Sequence, residues 1–299
     1  MFNLERLRVL DAVAVHGSLA AGARALHITP SGVSQQLAKL ERESGHRLFE
    51  PHGRTVRLTH AGRVLAAYAA RVVAQAAAAE ADLADLDDEI LGPLRLGGVG
   101  SALRALLPDV LASLTAAHPR LTPTLVDGEG VDMIPRLARG DLDLLLVESW
   151  TNRPVRLPEG LALRTLAVEP VHVALSERHP LADRGTLDLA ALGDEIWTSC
   201  PPGTEPYEAL LQAMRAQGPE PEIRYTVSEF ATQLALVAEG LTLALLPEAG
   251  QRPAPPGVRF LPTRPSLGRE VMAVWRARAE SPAVRACVGA LAERAGTRD

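Results

Sequence analysis

From Thr59 to Leu91 the chain runs without a proline, holds Gly62 as its one glycine, and is dominated by alanine. Alanine is the strongest helix former, so this stretch predicts a single helix over 59–91, roughly 30 residues and about 45 Å long. At 299 residues the chain exceeds one typical domain, so two or three units are expected. Thr59 is a natural N-cap, and Gly92-Pro93 stops the helix. Leu65, Tyr68 and Val72, then Ala79, Leu83, Leu86 and Ile90, follow coiled-coil spacing with a shift of register near Gln75. Such a seam can be covered by the same helix of a second subunit or by the chain's own C-terminal part; the length favours a two-fold dimer. Val64 to Ala79, the most apolar part, contains Arg71 and Gln75 and is too short and too polar to span a bilayer.

Ahead of the rod, Leu4, Leu7, Leu10, Val13 and Ala14 predict a first helix over 4–16. Ser18 can cap a second, carrying Leu19, Ala23 and Leu26, and His27-Ile28 breaks the pattern. Thr29 followed by Pro30 starts a third, since proline at the first helical position loses only an N–H that has no partner there. On this helix Val33, Leu37 and Leu40 form one narrow stripe, and Ser31, Gln35, Ala38, Lys39 and Arg42 lie opposite. Hydroxyl and amide groups read base edges while Lys and Arg meet phosphates, as a helix in the major groove requires. An ordinary amphipathic surface helix has the same pattern. Next, 47–50 and 55–58 predict two short strands joined by Pro51-His52-Gly53-Arg54. Such a hairpin is either a wing that sets Arg54 and Arg57 against DNA or a solvated turn with incidental arginines.

Charge supports the first reading. The chain as a whole carries a net charge of −5, yet residues 1–79 hold ten Lys and Arg against five Asp and Glu, and the remainder 21 against 31. The cationic excess sits at the N-terminal end, where phosphate contacts need it.

Beyond Gly92 apolar runs alternate with helical patterns. Strands are expected at 94–97, 122–126, 142–147, 161–167, 171–175, 222–227, 241–246, 258–261 and 270–275, and helices at 102–117, 133–139, 206–217, 229–239 and 282–294. This alternation implies parallel α/β sheets covered by helices, as one large domain or as two lobes with a ligand crevice at the strand ends. Two lobes are preferred.

Enzyme chemistry finds no support: there is no GxSxG elbow, phosphate loop, HExxH or cluster of His with carboxylates. Cys200 and Cys287 have no neighbouring cysteine, so neither a disulfide framework nor a zinc site is expected. No cofactor or metal is implied, no secretory signal is visible, and a reducing cytoplasm fits.

The segments GSLAAGARALHITPSGVSQQLAKLE and RLFEPHGRTVRLTHAG, with GPLRLG at Gly92, LARGDLDLLL at Leu137, LSERHPLA at Leu175 and LVAEGLTLALLP at Leu236, resemble the LysR-type transcriptional regulators over nearly the whole chain. The resemblance implies a winged helix-turn-helix (1–58), a dimerising linker helix (59–91) and a two-lobed α/β effector domain similar to periplasmic binding proteins (92–299). Lobe I would take about 92–167 and 266–299, and lobe II 168–265. It also implies a homodimer or homotetramer on an inverted repeat in promoter DNA, answering to a small-molecule effector. DNA-facing positions carry over to Thr29, Pro30, Ser31, Ser34, Gln35 and Arg54, alongside Ser18, Lys39 and Arg57. Many members have Gln where Pro30 stands, which shifts base reading to Ser31 and Gln35. Effector positions fall on Gly100, Ser101, Gly128, Cys200, Thr204, Ser228 and Phe230, and suggest a small polar or anionic ligand. Some relatives switch by oxidising a cysteine near Cys200, which leaves redox sensing, like a DNA-architectural role without an effector, as an alternative.

Overall fold

The computed structural model describes residues 2–52, 55–84 and 90–296. The chain divides into two compact units, residues 1–88 with 139–141 and residues 89–138 with 142–299.

In the first unit α1 (Leu4–His16) buries Leu7, Val9, Leu10 and Val13. Leu7, Leu10 and Val13 are buried as expected and Ala14 packs beside them, while Val9 joins the stripe and Leu4 at the helix end stays exposed. Ser18 caps α2 (Leu19–Ala25) by accepting a hydrogen bond from the N–H of Ala21. A Cβ on Gly22 would stand 2.8 Å from Cγ2 of Val13, so the glycine is what lets these two helices touch. His27 makes the turn with φ of 54°. Thr29 then caps α3 (Pro30–Ser44), whose Val33, Leu37 and Leu40 are buried together.

The hairpin pairs β1 (Phe49–His52) with β2 (Thr55–Leu58) in the register Phe49↔Leu58 to His52↔Thr55. Its first strand therefore begins two residues later than expected and absorbs Pro51 and His52, and Gly53 lies outside the described residues. A two-stranded ribbon has a free edge on each side, which tolerates the missing N–H of Pro51. Arg54 lies outside the described residues.

Next, α4 spans His60–Ala84, with Thr59 Oγ1 accepting from the N–H of Gly62 at 3.0 Å. A Cβ on Gly62 would come within 2.1 Å of the Leu48 carbonyl. The helix is shorter than 59–91: Ile90 and Leu91 are not helical, and 85–89 fall outside the described residues. Leu65 turns into the head core with Ala66 and Ala69, so the exposed apolar stripe is Val64, Tyr68 and Val72.

The second unit has one mixed sheet, not parallel sheets. Its strands are β3 (Gly92–Gly98), β4 (Leu121–Asp127), β5 (Leu144–Trp150), β6 (Leu161–Ser176), the short β7 (Leu187–Asp188), β8 (Ile196–Ser199), β9 (Glu222–Thr226), β10 (Leu243–Pro247) and β11 (Val258–Arg276). The order is β4-β3-β5-β11-β6-β10-β8-β9. Pairing is parallel within β4-β3-β5 and within β10-β8-β9, and antiparallel wherever β6 or β11 takes part in the main sheet. The segments 161–167 and 171–175, read as two strands, are one, and so are 258–261 and 270–275. Pro170 interrupts the sequence pattern but not the strand, because β6 has β11 as its only neighbour there and β10 joins from Val171. These two long strands cross between the lobes, and their register shifts between Pro262 and Leu267. The strand 196–199 was not expected; four residues are too few to show a period.

The helices are α5 (Gly100–Ala117), α6 (Gly130–Arg139), α7 (Glu205–Arg215), α8 (Phe230–Ala238) and α9 (Pro282–Gly296). In lobe I α5 and α9 bury Leu103, Leu107, Val284 and Leu291 against one face of the sheet, and α6 buries Met133 and Leu137 against the other. In lobe II α7 packs Leu210 and Met214 beside Trp197, while α8 packs Leu234 and Val237 beside Leu246. No helix among the described residues is long and apolar enough to cross a membrane.

Candidate functional site

The first unit offers a ridge. Thr29, Pro30, Ser31, Ser34, Gln35, Lys39 and Arg42 are all exposed along α3, directly opposite its buried stripe. Thr29 Oγ1 accepts from the N–H of Gly32 and shares a hydrogen bond with Ser31 Oγ, each at 3.1 Å, while Ser34 Oγ donates to the Pro30 carbonyl. Among the described residues Gln35 and Lys39 have no partner, so their amide and ammonium groups are available to an outside ligand. The rear of α3 is occupied: Gln36 accepts from Arg6, Arg6 pairs with Glu43, and Glu41 Oε1 accepts from the N–H groups of Leu48 and Phe49 at 2.7 and 3.2 Å. Glu41 thereby fixes the start of the hairpin to the helix. Ser18 serves as the α2 cap, and Arg57 is held by Glu50 at 2.6 Å on the hairpin.

Between the lobes of the second unit lies a charged cluster that sequence reading missed. Arg269 on β11 is fully buried, and Glu148 on β5 is 3% exposed. Arg269 Nε donates to Glu169 Oε1 at 2.9 Å, Nη1 to Glu148 Oε2 and to Ser101 Oγ at 2.8 Å each, and Nη2 again to Glu169. Desolvation pulls the guanidinium pKa down, but Glu148 and Glu169 outweigh it and hold the value above the ordinary one. Glu169 Oε2 accepts from the N–H of Ala249 at 2.5 Å, so the cluster ties Ser101 of lobe I to the segment after β10 in lobe II. Arg104 adds bonds to the Ala249 and Arg252 carbonyls.

Glu129 stands between β4 and α6. Burial first, then the charges of Glu148, Asp132 and Glu205, against the opposing pull of Arg269, push its carboxyl up to about 7. Its Oε2 is shielded from solvent and has no hydrogen-bond partner among the described residues. Burial also raises the Glu205 carboxyl, opposed by Arg153 at 3.3 Å. A cavity of about 640 Å³ opens beside Glu205, walled by Gly130, Asn152, Arg153, Arg156, Glu205 and Gln212 among others.

The expected effector residues divide. Gly100 is exposed at the start of α5, next to Ser101, and a Cβ on Gly128 would strike Met133 at 2.2 Å. Thr204 is a weaker candidate than its position suggested, since its hydroxyl donates to the Pro201 carbonyl at 2.8 Å and it is buried. Phe230 packs against Gly250 and the lobe II core. Ser228 is exposed, and its carbonyl accepts from Cys200 Sγ at 3.7 Å. Burial, then the charges of Glu129 and Glu148, push the Cys200 thiol up to about 12, and burial does the same to Cys287 in the lobe I core. A protonated, buried thiol is a poor redox centre. A usable signal for the missed cluster did exist: an ionisable residue inside an apolar strand, Glu148 in LLLVESW and Arg269 in LGREVMAVW.

Comparison with known proteins agrees with this layout. Residues 4–63 match the bacterial regulatory helix-turn-helix protein, lysR family, and residues 87–296 the LysR substrate binding domain. The chain is 30% identical to the uncharacterized HTH-type transcriptional regulator YnfL of Escherichia coli strain K12, over 95% of each chain. It is 31% identical to the small neutral protease regulatory protein of Streptomyces coelicolor, covering 94% of this chain and 84% of that one. The structure of full-length CbnR complexed with its target DNA superposes with a TM-score of 0.69 at 22% identity, covering 98% of this chain and 100% of that one. A helix-turn-helix head with an open polar ridge, joined in one chain to a two-lobed ligand-binding body, therefore belongs to the LysR family of DNA-binding transcriptional regulators.

Proposed function

We propose that α3 reads an inverted repeat in promoter DNA through Ser31 and Gln35, with Thr29, Pro30, Ser34 and Lys39 against the backbone and Ser18, Arg54 and Arg57 reaching flanking phosphates. The observation that carries this is the ridge itself: Gln35 and Lys39 are exposed and, among the described residues, unpartnered on the face opposite a fully packed stripe. A homodimer paired along α4 through Val64, Tyr68 and Val72 supplies the two-fold symmetry that two half-sites need, and pairing of dimers gives a tetramer. Residues 1–58 bind DNA, the rod pairs subunits, and 92–299 takes the effector, its lobes parting near Val168 and Pro265. A small polar metabolite entering between Gly100, Ser101, Gly128 and Cys200 favours one lobe arrangement and so alters affinity for the promoter, in the cytoplasm where that DNA lies.

Retardation of promoter fragments by the purified full-length protein tests this. Binding should be sequence-specific, lose its preference at one symmetric pair of positions in Gln35→Ala, and change when the effector is added. Equal binding to all fragments would leave only a DNA-architectural role.

A further inference from the structure

A carboxylate in a head that meets DNA repels the phosphates it approaches, so its place there has to be explained by something other than attraction. Glu41 is such a carboxylate. It follows the buried Leu40 on α3, is half-buried, and forms no salt bridge among the described residues. Its Oε1 instead accepts from two successive backbone N–H groups, that of Leu48 at 2.7 Å and that of Phe49 at 3.2 Å. A charged acceptor makes such bonds about twice as strong as a neutral one. Leu48 is 1% exposed, so water is not at hand to replace Glu41 as the acceptor.

Both donors lie at the stem of the hairpin, and the stem is held through its carbonyls as well. Thr59, just before α4, donates its N–H to the Leu48 carbonyl at 2.9 Å and its hydroxyl to the Arg47 carbonyl at 2.7 Å. Beyond the stem, β1 and β2 form a sheet of two strands, too small to hold a fixed direction alone. Leu48 also packs with Leu37 and Leu40, but apolar packing is not directional. Hydrogen bonds are, so the angle between the hairpin and α3 is set by the bonds to Glu41.

We infer that Glu41 is the positioning residue of the hairpin: through the Leu48 and Phe49 amides it holds the hairpin at the angle at which its arginines meet phosphates while α3 lies in the major groove. Glu41 itself touches no DNA. The inference rests on the reading of the head as a DNA-binding unit and adds to it a residue that acts through the hairpin and not through the ridge.

Two variants of equal charge test this in the full-length protein. Glu41→Gln keeps an oxygen acceptor and Glu41→Ala does not, yet both lose the same negative charge, so long-range attraction to DNA cannot separate them. Each is titrated, over a range of salt, against a duplex that the parent selects from a random-sequence pool. Glu41→Ala should bind about tenfold more weakly than Glu41→Gln at about 0.15 M salt, and its slope of log affinity against log salt should be smaller by about 1 for each hairpin arginine that leaves its phosphate. Its base preference, read by α3, should match that of Glu41→Gln. With Arg54→Ala and Arg57→Ala also in place, the difference between the two Glu41 variants should vanish, because the contacts through which Glu41 acts are then gone. Should thermal unfolding show that Glu41→Ala does not fold, Glu41→Asp is compared with the parent instead: it keeps the parental charge, withdraws the oxygen by one methylene, and should show the same smaller slope. Equal slopes in the compared pair, a difference that persists without the hairpin arginines, or a loss of base preference along with affinity overturns the inference. A parent that selects no duplex from the pool would overturn the DNA-binding reading and this inference with it, whereas the other outcomes bear on Glu41 alone.

Discussion

Two arginine–glutamate pairings in this chain are close to identical in chemistry and opposite in setting. Arg57 and Glu50 face each other across the hairpin with side chains 64% and 44% exposed, whereas Arg269 meets Glu148 at 0% and 3%. Water screens the first pair, and it can be broken and remade by a passing phosphate at small cost. The second has no water to fall back on, so each member stays only because the others are there. Exposure marks the part of the molecule built to exchange partners, and burial the part built to keep them.

The largest effect expected from this contrast is at Arg269. Arg269→Met strands Glu148 and Glu169 in the crossing between lobes and should cost about 3–5 kcal/mol in urea unfolding of the second unit. Replacing both glutamates by glutamine in the same chain should recover most of that loss; if the single variant is as stable as the parent, the buried pair is not what joins the crossing strands.

Within α3 the same contrast appears between two faces of one helix. Leu40 is fully buried, so Leu40→Ala should destabilise the head by about 2–5 kcal/mol. Gln35→Ala should leave unfolding within about 0.5 kcal/mol of the parent and instead remove about 1–3 kcal/mol of discrimination at one base position. A stability loss at Gln35 comparable to that at Leu40 would mean the ridge is an interior surface.

Glu129 lies between the extremes, partly buried and with one oxygen that has no hydrogen-bond partner among the described residues. Its folded pKa, about 7, stands above its ordinary value of 4.5, so between those values the native state binds the extra proton. Stability from this group is therefore full below about pH 4.5 and declines as pH rises through about 7. Glu129→Gln should match the parent near pH 5 and exceed it by about 1–2 kcal/mol near pH 8, a figure reduced for the solvent that still reaches the group. Equal stability of the two at both pH values would show that solvent already relieves the carboxylate.

The contrast also explains what could be read from residue order. The head was legible because its signals are local: Ser18 and Thr29 cap helices, Pro30 opens one, and Val33, Leu37 and Leu40 keep a single period. The crossing was not, because its logic is long-range. Glu169 and Arg269 are ladder partners a hundred residues apart, and Ser101 reaches Arg269 from further still. Pro170 and the register shift after Pro262 hid the continuity of the two long strands, whose sequence patterns each break at the point of crossing. The family resemblance pointed to Gly100 and Gly128, while the carboxylate beside one of them, Glu129, carried no pattern at all. A side chain whose importance comes from being unpaired has no signature until its neighbours are known.

The smallest expected effect is the most discriminating for the exposed pair. Bound to Glu50 through Nε at 3.0 Å and Nη2 at 2.6 Å, Arg57 could serve only to hold the hairpin together. Its exposure argues that the pair contributes under about 1 kcal/mol, so Arg57→Ala should leave thermal unfolding of the head nearly unchanged. On DNA the guanidinium should trade a screened carboxylate for a phosphate and release one counterion in doing so. The slope of log affinity against log salt should then fall by about 1 in the alanine variant, uniformly across promoter sequences. Glu50→Gln removes the competitor without removing the cation, and should tighten binding at low salt while keeping the parental slope. If both variants bind with the parent's affinity and slope, Arg57 never leaves Glu50, and the hairpin arginine belongs with the buried one as a structural pair.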